Sequence, residues 1–214
     1  MTHNPPHFPY HAQWASDDRA ADIIAGTLLM TEDPKWESSG AASPQEYATW
    51  ANHVCGMACL KMIIESRSGI CIPIMQLTRL ALEFGAYTLE DGTIRGMIYT
   101  PFVTMIKAKF DIDAQVLTGL EAAGIAPQLR DGSMFIASVH PSIRWRSGTP
   151  PRKGGHLVLV TRTDGENLVF QNPSGHDYAS QRDVVLPVRV FGDFFAGRGI
   201  RVCPGDSAES LSQP

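Results

Sequence analysis

The apolar pattern of this 214-residue chain changes character near its middle. Up to about residue 110, apolar side chains recur every three or four positions, which predicts amphipathic helices. From Ile112 onward, short apolar or alternating runs are separated by Gly, Pro and Asp, which predicts strands joined by turns. Helices followed by strands define the α+β class, so the sequence predicts a helical N-terminal half packed on a C-terminal antiparallel sheet.

The predicted elements follow in chain order. Helices are expected over 17–30, from Ser43, over 55–68, from Pro73 to Gly85, from Thr100 to Phe110 and over 118–124. Strands are expected over 112–117, 133–139, 155–160, 167–172, 184–190 and 199–202, with a hairpin turn at Asp164-Gly165.

The length of the chain suits one domain. Prolines exclude a helix from the first ten residues, so residues 1–9 are expected to form a flexible arm. The polar end of the chain, 204–214, is expected to be a disordered tail. Between them we predict a single domain over 10–203, in which 15–50 form a helical insertion.

Charge and hydropathy exclude two classes of partner. The formal net charge is −4, and no basic surface for nucleic acid or anionic lipid is indicated. No apolar run approaches the length of a membrane span. We therefore expect a protein that binds neither nucleic acid nor membrane.

The four cysteines indicate a reducing compartment. Cys55 and Cys59 lie one helical turn apart, a geometry unsuited to a disulfide between them. Cys71 and Cys203 show no paired metal-ligand spacing, and a bridge between these two is left open. A cytoplasmic location without structural zinc is therefore expected.

The stretch 52–62 places a thiol at a defined point of a helix. Cys55, Cys59 and Met62 recur at helical spacing, so one face points inward. Cys55 falls in the first turn, where unpaired N–H groups and the helix dipole favour thiolate, the nucleophilic form. Gly56 leaves room beside the thiol for another backbone or a substrate. The alternative interpretation is that Cys55 is a small buried apolar residue.

Three further motifs accompany this helix. Gly154-Gly155-His156 opens a strand, Asn172-Pro173 closes the next one, and Tyr10-His11-Ala12-Gln13-Trp14 lies near the start of the chain. Together with Cys-Gly-Met-Ala-Cys-Leu-Lys-Met, these motifs resemble the bacteriocin-processing-like cysteine peptidases, family thirty-nine of that class, which share the papain-like fold. The resemblance extends from about Pro9 to Val202.

The resemblance implies roles for four residues. Cys55 is the nucleophile, and His156 is first the base and then the acid. Asn172 orients His156. Gln13 donates to the oxyanion, together with the backbone N–H of Cys55.

The position of the glutamine departs from the family pattern. In shorter relatives it lies a few residues before the cysteine, whereas about forty residues separate Gln13 from Cys55 here. Assignment of Gln13 therefore requires 15–50 to be an insertion. Gln45, at a predicted helix start, is the weaker rival. Alternatively, Gln13 only satisfies a local backbone group.

The predicted hairpin gives a physical reason for pairing His156 with Asn172. Antiparallel strands joined by a tight turn bring the start of one beside the end of the other. A carboxamide oxygen can then accept the imidazole N–H and fix the tautomer. The competing histidines are less well placed, and they are His53, His140 and His176.

Metal binding is not predicted. His3, His7 and His11 are spaced by four residues, but the prolines between them break the helix that this spacing requires. We expect neither a metal nor an organic cofactor, since acyl transfer from a cysteine needs none.

The segment 142–153 is a basic loop, rich in Pro and Gly, directly before the predicted His156 strand. It carries Arg144, Arg146, Arg152 and Lys153 around Trp145. Two interpretations are left open: the loop recognises an acidic or carboxylate-bearing substrate, or it is an ordinary solvated loop.

The expected function is that of a cysteine-dependent hydrolase that cleaves a peptide or amide bond through an acyl-enzyme. One alternative is an acyltransferase or transpeptidase, which passes the acyl group to an amine in peptide or natural-product maturation. The other is a catalytically inactive module that only binds peptide. The expected partner is a peptide or an amide-containing small substrate, whose identity is left open along with the oligomeric state.

Overall fold

A computed structural model of the protein describes residues 8–204. Most of the predicted arm 1–9 and of the predicted tail 204–214 lies outside the described residues. Within 8–204 the first half is mainly helical, and the second half is built on a six-stranded antiparallel sheet. The predicted α+β class, with an N-terminal helical half packed on a C-terminal sheet, is confirmed.

The helices of the described residues are mostly short. The α-helices are α1 (Ala20–Ala25), α2 (Pro44–Trp50), α3 (Cys55–Ser68), α4 (Ile74–Glu83), α5 (Tyr99–Phe110), α6 (Ile125–Gln128), α7 (Tyr178–Gln181) and α8 (Val188–Phe194). Short 3₁₀ helices lie at Asp17–Arg19, Met30–Glu32, Trp36–Ser39, Ala122–Gly124 and Pro141–Trp145.

The strands form one hairpin and one large sheet. They are β1 (Tyr87–Glu90), β2 (Thr93–Gly96), β3 (Ala114–Thr118), β4 (Met134–Val139), β5 (His156–Asp164), β6 (Asn167–Gln171), β7 (Val184–Pro187) and β8 (Phe195–Val202). β1 and β2 pair with each other, and the other six follow the order β3-β8-β4-β5-β6-β7. Every pairing in the sheet is antiparallel.

The middle strands of the sheet send alternate side chains into two separate cores. On one face, Ile136 and Leu159 pack into the core formed with α3, α4 and α5. On the other face, Phe135 and Val158 pack into the core formed with α6 and α8. Because both faces are covered, β4 and the start of β5 have continuous apolar sequences.

Helix α3 lies on the sheet against β5. Its residues Met57, Ala58, Leu60 and Met62 have no exposed surface. A helix that is apolar nearly all round is a buried helix. It ends where predicted, at Gly69, whose φ of +70° stops the helix. This packing fixes the first turn of α3 relative to the start of β5.

The segment 15–50 contributes α1, α2 and short 3₁₀ turns with an apolar cluster of their own. The buried members of the cluster are Trp14, Ala20, Ile23, Tyr47 and Ala51. Helix α2 begins as the sequence predicts, with Ser43 Oγ accepting from the Glu46 N–H at 3.1 Å. The helix expected over 17–30 is shorter, because Gly26 takes a φ of +74° and ends α1.

Several boundaries in the second half differ from the prediction. The strand expected over 184–190 stops at Pro187, and α8 follows because its Phe191 and Phe194 pack into the core. The helix expected over 118–124 is replaced by the end of β3 and one 3₁₀ turn. The last strand is longer than expected, since β8 pairs with both β3 and β4.

All four cysteines are free, so the Cys71–Cys203 bridge that the sequence left open is absent. No helix within residues 8–204 has the length and apolar character needed to cross a membrane.

Candidate active site

Cys55 is the first residue of α3, as the sequence predicts. Its backbone N–H belongs to the first turn, where a helix provides no acceptor for its N–H groups. Cys59, one turn later, is fully buried, and its Sγ lies 3.9 Å from the Leu157 carbonyl oxygen. Cys59 is therefore part of the core, whereas Cys55 lines a cavity.

His156 opens β5 opposite Val139, and only 5% of its surface is exposed. The two residues before it, Gly154 and Gly155, have φ angles of +88° and +96°. Residues with a Cβ rarely adopt such angles, so this entry into β5 requires the Gly-Gly pair. The local sequence thus determines how the imidazole is presented.

The imidazole is held by the amide of Asn172, with 2.8 Å between His156 Nε2 and Asn172 Oδ1. The backbone N–H of Ser174, which can only donate, lies 3.2 Å from the same oxygen and fixes the orientation of the amide. Nε2 therefore donates and carries the proton. Nδ1 keeps the lone pair, so it is the ring nitrogen able to accept a proton.

The backbone of Asn172, directly after β6, is held on both sides. Its N–H donates to the Gln181 carbonyl at 2.8 Å, and its carbonyl accepts from the Gly175 N–H at 3.1 Å and the Tyr10 O–H at 3.0 Å. A Cβ at Gly175 would lie 2.3 Å from the Ser180 carbonyl oxygen, so only glycine fits this turn. These contacts keep the amide directed at the imidazole.

Two cavities meet at Cys55 and His156. The larger cavity, about 420 Å³, is lined on its other sides by 96–100 and Arg198, among others. The smaller cavity, about 320 Å³, is lined by Gln13, Trp14, Arg144 and Ser174, among others. The structure therefore brings the thiol and the imidazole to one site that is open on two sides.

Gln13 reaches this site although about forty residues separate it from Cys55. It is buried in the wall of the smaller cavity, and its backbone N–H donates to the Pro173 carbonyl at 2.9 Å. Its side-chain Oε1 is buried without a hydrogen-bond partner among the described residues, so Nε2 is the end of the amide available to the cavity. Gln45, the rival, lies on α2 and lines neither cavity.

Burial controls the charge state of both reactive groups. It raises the pKa of the Cys55 thiol to about 11, against the opposing effect of hydrogen bonding to the Leu157 backbone. It lowers the pKa of His156 to about 4, where the hydrogen bond to Asn172 opposes the shift and the charge of Arg144 adds to it. The expectation that the first helical turn favours thiolate does not hold for the resting protein, because desolvation outweighs the helix terminus.

The imidazole has a second polar neighbour that the sequence did not reveal. Ser174 Oγ lies 3.0 Å from His156 Nε2 and accepts from Arg144 Nη2 at 3.1 Å. Within residues 8–204, the hydrogen bonds of the imidazole go to Asn172 and Ser174 and not to the thiol. The signal for Ser174 is a hydroxyl two residues after Asn172, which is too common in turns to stand out.

The basic loop 142–153 divides into two parts. Arg144 is half-buried and lines the smaller cavity, where its guanidinium lies 6.0 Å from the centre of the Trp14 ring. Arg146 and Arg152 are exposed, as expected of a solvated loop. The solvated interpretation therefore fits Arg146 and Arg152, whereas Arg144 is the residue of the loop to which the recognition interpretation can still refer.

The competing histidines have other surroundings. His53 lines the larger cavity. His140 Nδ1 lies 2.7 Å from Ser142 Oγ at a helix start, and the ring of His176 packs against Trp145 at a tilt of 40°, with 4.4 Å between ring centres. Neither His140 nor His176 lines either cavity.

His11 belongs to a different polar cluster, which could hold a metal ion. Its Nε2 lies 2.5 Å from Glu65 Oε2 and 3.9 Å from Cys71 Sγ. His3 and His7, with which the sequence grouped it, lie outside the described residues. The cluster lines neither cavity at Cys55, so it supplies no group to the thiol.

A thiol that shares a cavity with an amide-bound imidazole is the arrangement on which cysteine-dependent acyl-transfer enzymes depend.

No model of a protein family matches the sequence, and no curated protein matches it. Solved structures similar to the chain include a C39-like peptidase from Bacillus anthracis, with 16% identity, coverage of 72% of this chain and 90% of that one, and a TM-score of 0.49.

Two further solved structures are similar to the chain. One is the peptidase domain of Streptococcus ComA, a bifunctional ABC transporter of a quorum-sensing pathway, with 16% identity, coverage of 72% and 93%, and a TM-score of 0.49. The other is a double-glycine-motif protease from an AMS/PCAT transporter, solved with its leader peptide, with 16% identity, coverage of 71% and 84%, and a TM-score of 0.46. All three structures are described as peptidases, peptidase domains or proteases.

Proposed function

We propose that the protein is a cysteine-dependent hydrolase that cleaves a peptide or amide bond through an acyl-enzyme. Cys55 is the nucleophile, His156 the general base and acid, and Asn172 the residue that orients His156. One observation carries this proposal: the 2.8 Å hydrogen bond from His156 to Asn172 lies at the wall of two cavities that Cys55 also lines. A general base needs such an oriented ring with one free nitrogen.

The first half of the reaction begins with neutral groups. A thiol pKa of about 11 and an imidazole pKa of about 4 keep the proton on sulfur until a substrate is bound. As Cys55 Sγ attacks the carbonyl carbon, His156 Nδ1 takes the thiol proton. The hydrogen bond from Nε2 to Asn172 then strengthens, because its donor has become cationic. The imidazolium returns the proton to the leaving amine as the C–N bond breaks, and a thioester remains on Cys55.

Two donors are available for the oxyanion that forms during this attack. One is the backbone N–H of Cys55 in the first turn of α3. The other is Nε2 of Gln13 in the smaller cavity. The side chain of Gln13 makes no hydrogen bond to another described residue, which argues against the alternative that it satisfies a local backbone group. A donor that is held in place and unoccupied suits a developing negative charge.

Water completes the second half by attacking the thioester, with His156 as the base. The C–S bond breaks, the carboxylic acid is released, and the imidazolium returns the proton to Cys55 Sγ. Neither cavity is enclosed, so water has access to the thioester from both sides of Cys55. Access of water supports hydrolysis, whereas transfer would require an amine bound close to the thioester. Product analysis with and without an added amine distinguishes the two outcomes.

The proposal is tested by the rate at which iodoacetamide alkylates Cys55 in the whole chain at pH 7, followed by peptide mass spectrometry. Cys55 is expected to react faster than Cys59, and His156→Ala is expected to slow Cys55 by roughly 100-fold, the usual contribution of a general base. His140→Ala removes a histidine that lines neither cavity and is the matched control, with an unchanged rate expected. Equal rates in the wild type and His156→Ala would indicate a module that binds without catalysis.

A further inference from the structure

Both cavities beside Cys55 are lined by an arginine, and neither is lined by a carboxylate. Arg144 lies in the smaller cavity and Arg198 in the larger one. Among the ion pairs within residues 8–204, which involve other arginines, neither of these two takes part. The chain as a whole is acidic, with a formal net charge of −4. Two guanidinium groups outside these ion pairs therefore line the candidate active site, with no carboxylate among the lining residues.

The guanidinium of Arg144 is held in a fixed orientation. Its Nε donates to the Pro141 carbonyl at 2.9 Å and its Nη2 to Ser174 Oγ at 3.1 Å. Its remaining nitrogen, Nη1, has no hydrogen-bond partner within residues 8–204. Burial lowers the pKa of Arg144, and no neighbouring anion offsets this effect. Such a half-buried, oriented fork is the geometry in which arginine recognises a carboxylate.

We infer that Arg144 is the main group of a carboxylate-binding subsite, which Arg198 supports from the other cavity. The substrate of the proposed hydrolase is then a peptide or amide with a carboxylate next to the bond that is cleaved. The carboxylate belongs either to an acidic side chain or to a free C-terminus. The inference about cleavage rests on the proposed function, whereas binding of the carboxylate does not.

Two alkylating reagents of similar size test the subsite directly. Iodoacetate carries a carboxylate and iodoacetamide does not, and the same thiol attacks both. The ratio of their rates at Cys55 therefore cancels any change in the thiol pKa or in His156. Relative to N-acetylcysteine amide in the same solution, we expect this ratio to be raised roughly threefold to tenfold, and less so at high salt.

Charge variants assign the effect to the arginines. Arg144→Gln should bring the ratio close to that of the reference thiol, and Arg144→Lys should retain much of the preference, because it keeps the charge. Arg198→Gln should reduce the ratio partly. Arg146→Gln removes a charge two residues from Arg144 that lines neither cavity, so it is the matched control and should change nothing.

The outcomes separate the subsite from the proposed function. Fast, His156-dependent alkylation of Cys55 without preference for iodoacetate would overturn the subsite and leave the hydrolase proposal intact. The opposite result is a preference of Cys55 for iodoacetate that Arg144→Gln removes, with an alkylation rate that His156→Ala does not change. It would support the subsite and overturn the hydrolase proposal. A preference that survives Arg144→Gln would show that Arg144 serves only to hold Ser174.

Peptide pairs distinguish the two sources of the carboxylate. One pair exchanges aspartate for asparagine beside a candidate amide bond, and the other exchanges a free C-terminus for its amide. Protection of Cys55 from iodoacetamide by the acidic member of only one pair identifies the source. Equal protection by all four peptides would contradict the subsite.

Discussion

At the scale of the residue, the most informative atoms of this protein are buried polar atoms without a partner. Within the described residues these include Gln13 Oε1 and Asn172 Nδ2, both at the candidate active site. A buried polar group left unpaired costs about 1–3 kcal/mol, so its presence calls for a reason other than stability. The proposed reason is that the other atom of each amide has a function. Gln13 Nε2 donates to the oxyanion, and Asn172 Oδ1 accepts from the imidazole.

Loss of the Gln13 amide should affect acylation and leave alkylation unchanged. In Gln13→Ala, release of p-nitrophenol from p-nitrophenyl acetate by Cys55 should slow by roughly 100-fold to 1,000-fold, since one oxyanion donor is missing. The rate with iodoacetamide should not change, because that reaction forms no oxyanion. Gln45→Ala is the matched control. If Gln45→Ala caused the loss, or if both reactions of Gln13→Ala slowed equally, the assignment of Gln13 would be wrong.

Site residues could be predicted where nearby sequence fixes their neighbours, and could not be predicted where their neighbours depend on the folding of distant segments. His156 and Asn172 could be paired because a tight hairpin fixes which residues of its two strands are neighbours. Ser174 could not, because its contact with the imidazole depends on how the turn after β6 folds back. The pKa of Cys55 was misjudged for a related reason: the helix terminus is visible in the sequence, but the extent of burial is not.

At the scale of the element, α3 fits the sheet only because it carries a glycine at its second position. A Cβ at Gly56 would lie 2.6 Å from Met97 Sδ and 3.1 Å from Leu157 Cδ1. The sequence predicts space beside the thiol for a backbone or a substrate, but these two side chains occupy it. Met97 follows the hairpin β1–β2, which was not predicted because its strands are mostly exposed and lack a clear apolar pattern.

The variant Gly56→Ala tests how tightly α3 is packed. Alanine favours a helix over glycine by up to about 1 kcal/mol, but overpacking a core costs roughly 1–3 kcal/mol. We therefore expect the free energy of unfolding, measured in urea, to fall by about 1 kcal/mol. Ser66→Ala, at an exposed position of the same helix, is the control, and its free energy of unfolding should not fall. If Gly56→Ala were as stable as Ser66→Ala, the side chains of Met97 and Leu157 would have to move aside at no cost in stability.

Elements with strong end signals were predicted well. Helix α2 has its serine cap, and α3 has its glycine stop, both of which act through the local backbone. The first three residues of α8, 188–190, were predicted as strand because Val188 and Val190 favour strands locally. Its helical form instead buries Phe191 and Phe194, so tertiary packing outweighs local preference.

At the scale of the whole molecule, the site exists because a sheet with two covered faces holds distant segments in one place. Cys55 comes from a helix on one face of the sheet, and His156 comes from the start of a middle strand. Gln13 comes from the chain before the segment 15–50, whose apolar cluster includes its neighbour Trp14. The sequence predicted the class of the fold, but the distances between these groups follow only from the complete packing.

The central claim is that Cys55 and His156 act as one unit, and the pH dependence of Cys55 alkylation by iodoacetamide tests it most directly. His156 accepts the thiol proton only while its ring is neutral. Since its pKa is about 4, the wild-type rate should fall as the pH drops through that value. Above it, the rate should stay level to about pH 9, since a roughly 100-fold contribution of His156 at pH 7 is matched two pH units higher by the free thiolate of a thiol whose pKa is about 11.

In His156→Ala the thiol must lose its proton to the solvent before it reacts. Its rate should therefore rise about tenfold per pH unit over the range in which the wild type is level. A wild-type profile that rises in the same way and coincides with that of His156→Ala would contradict the account, because it would mean that the imidazole takes no part in the reaction of the thiol.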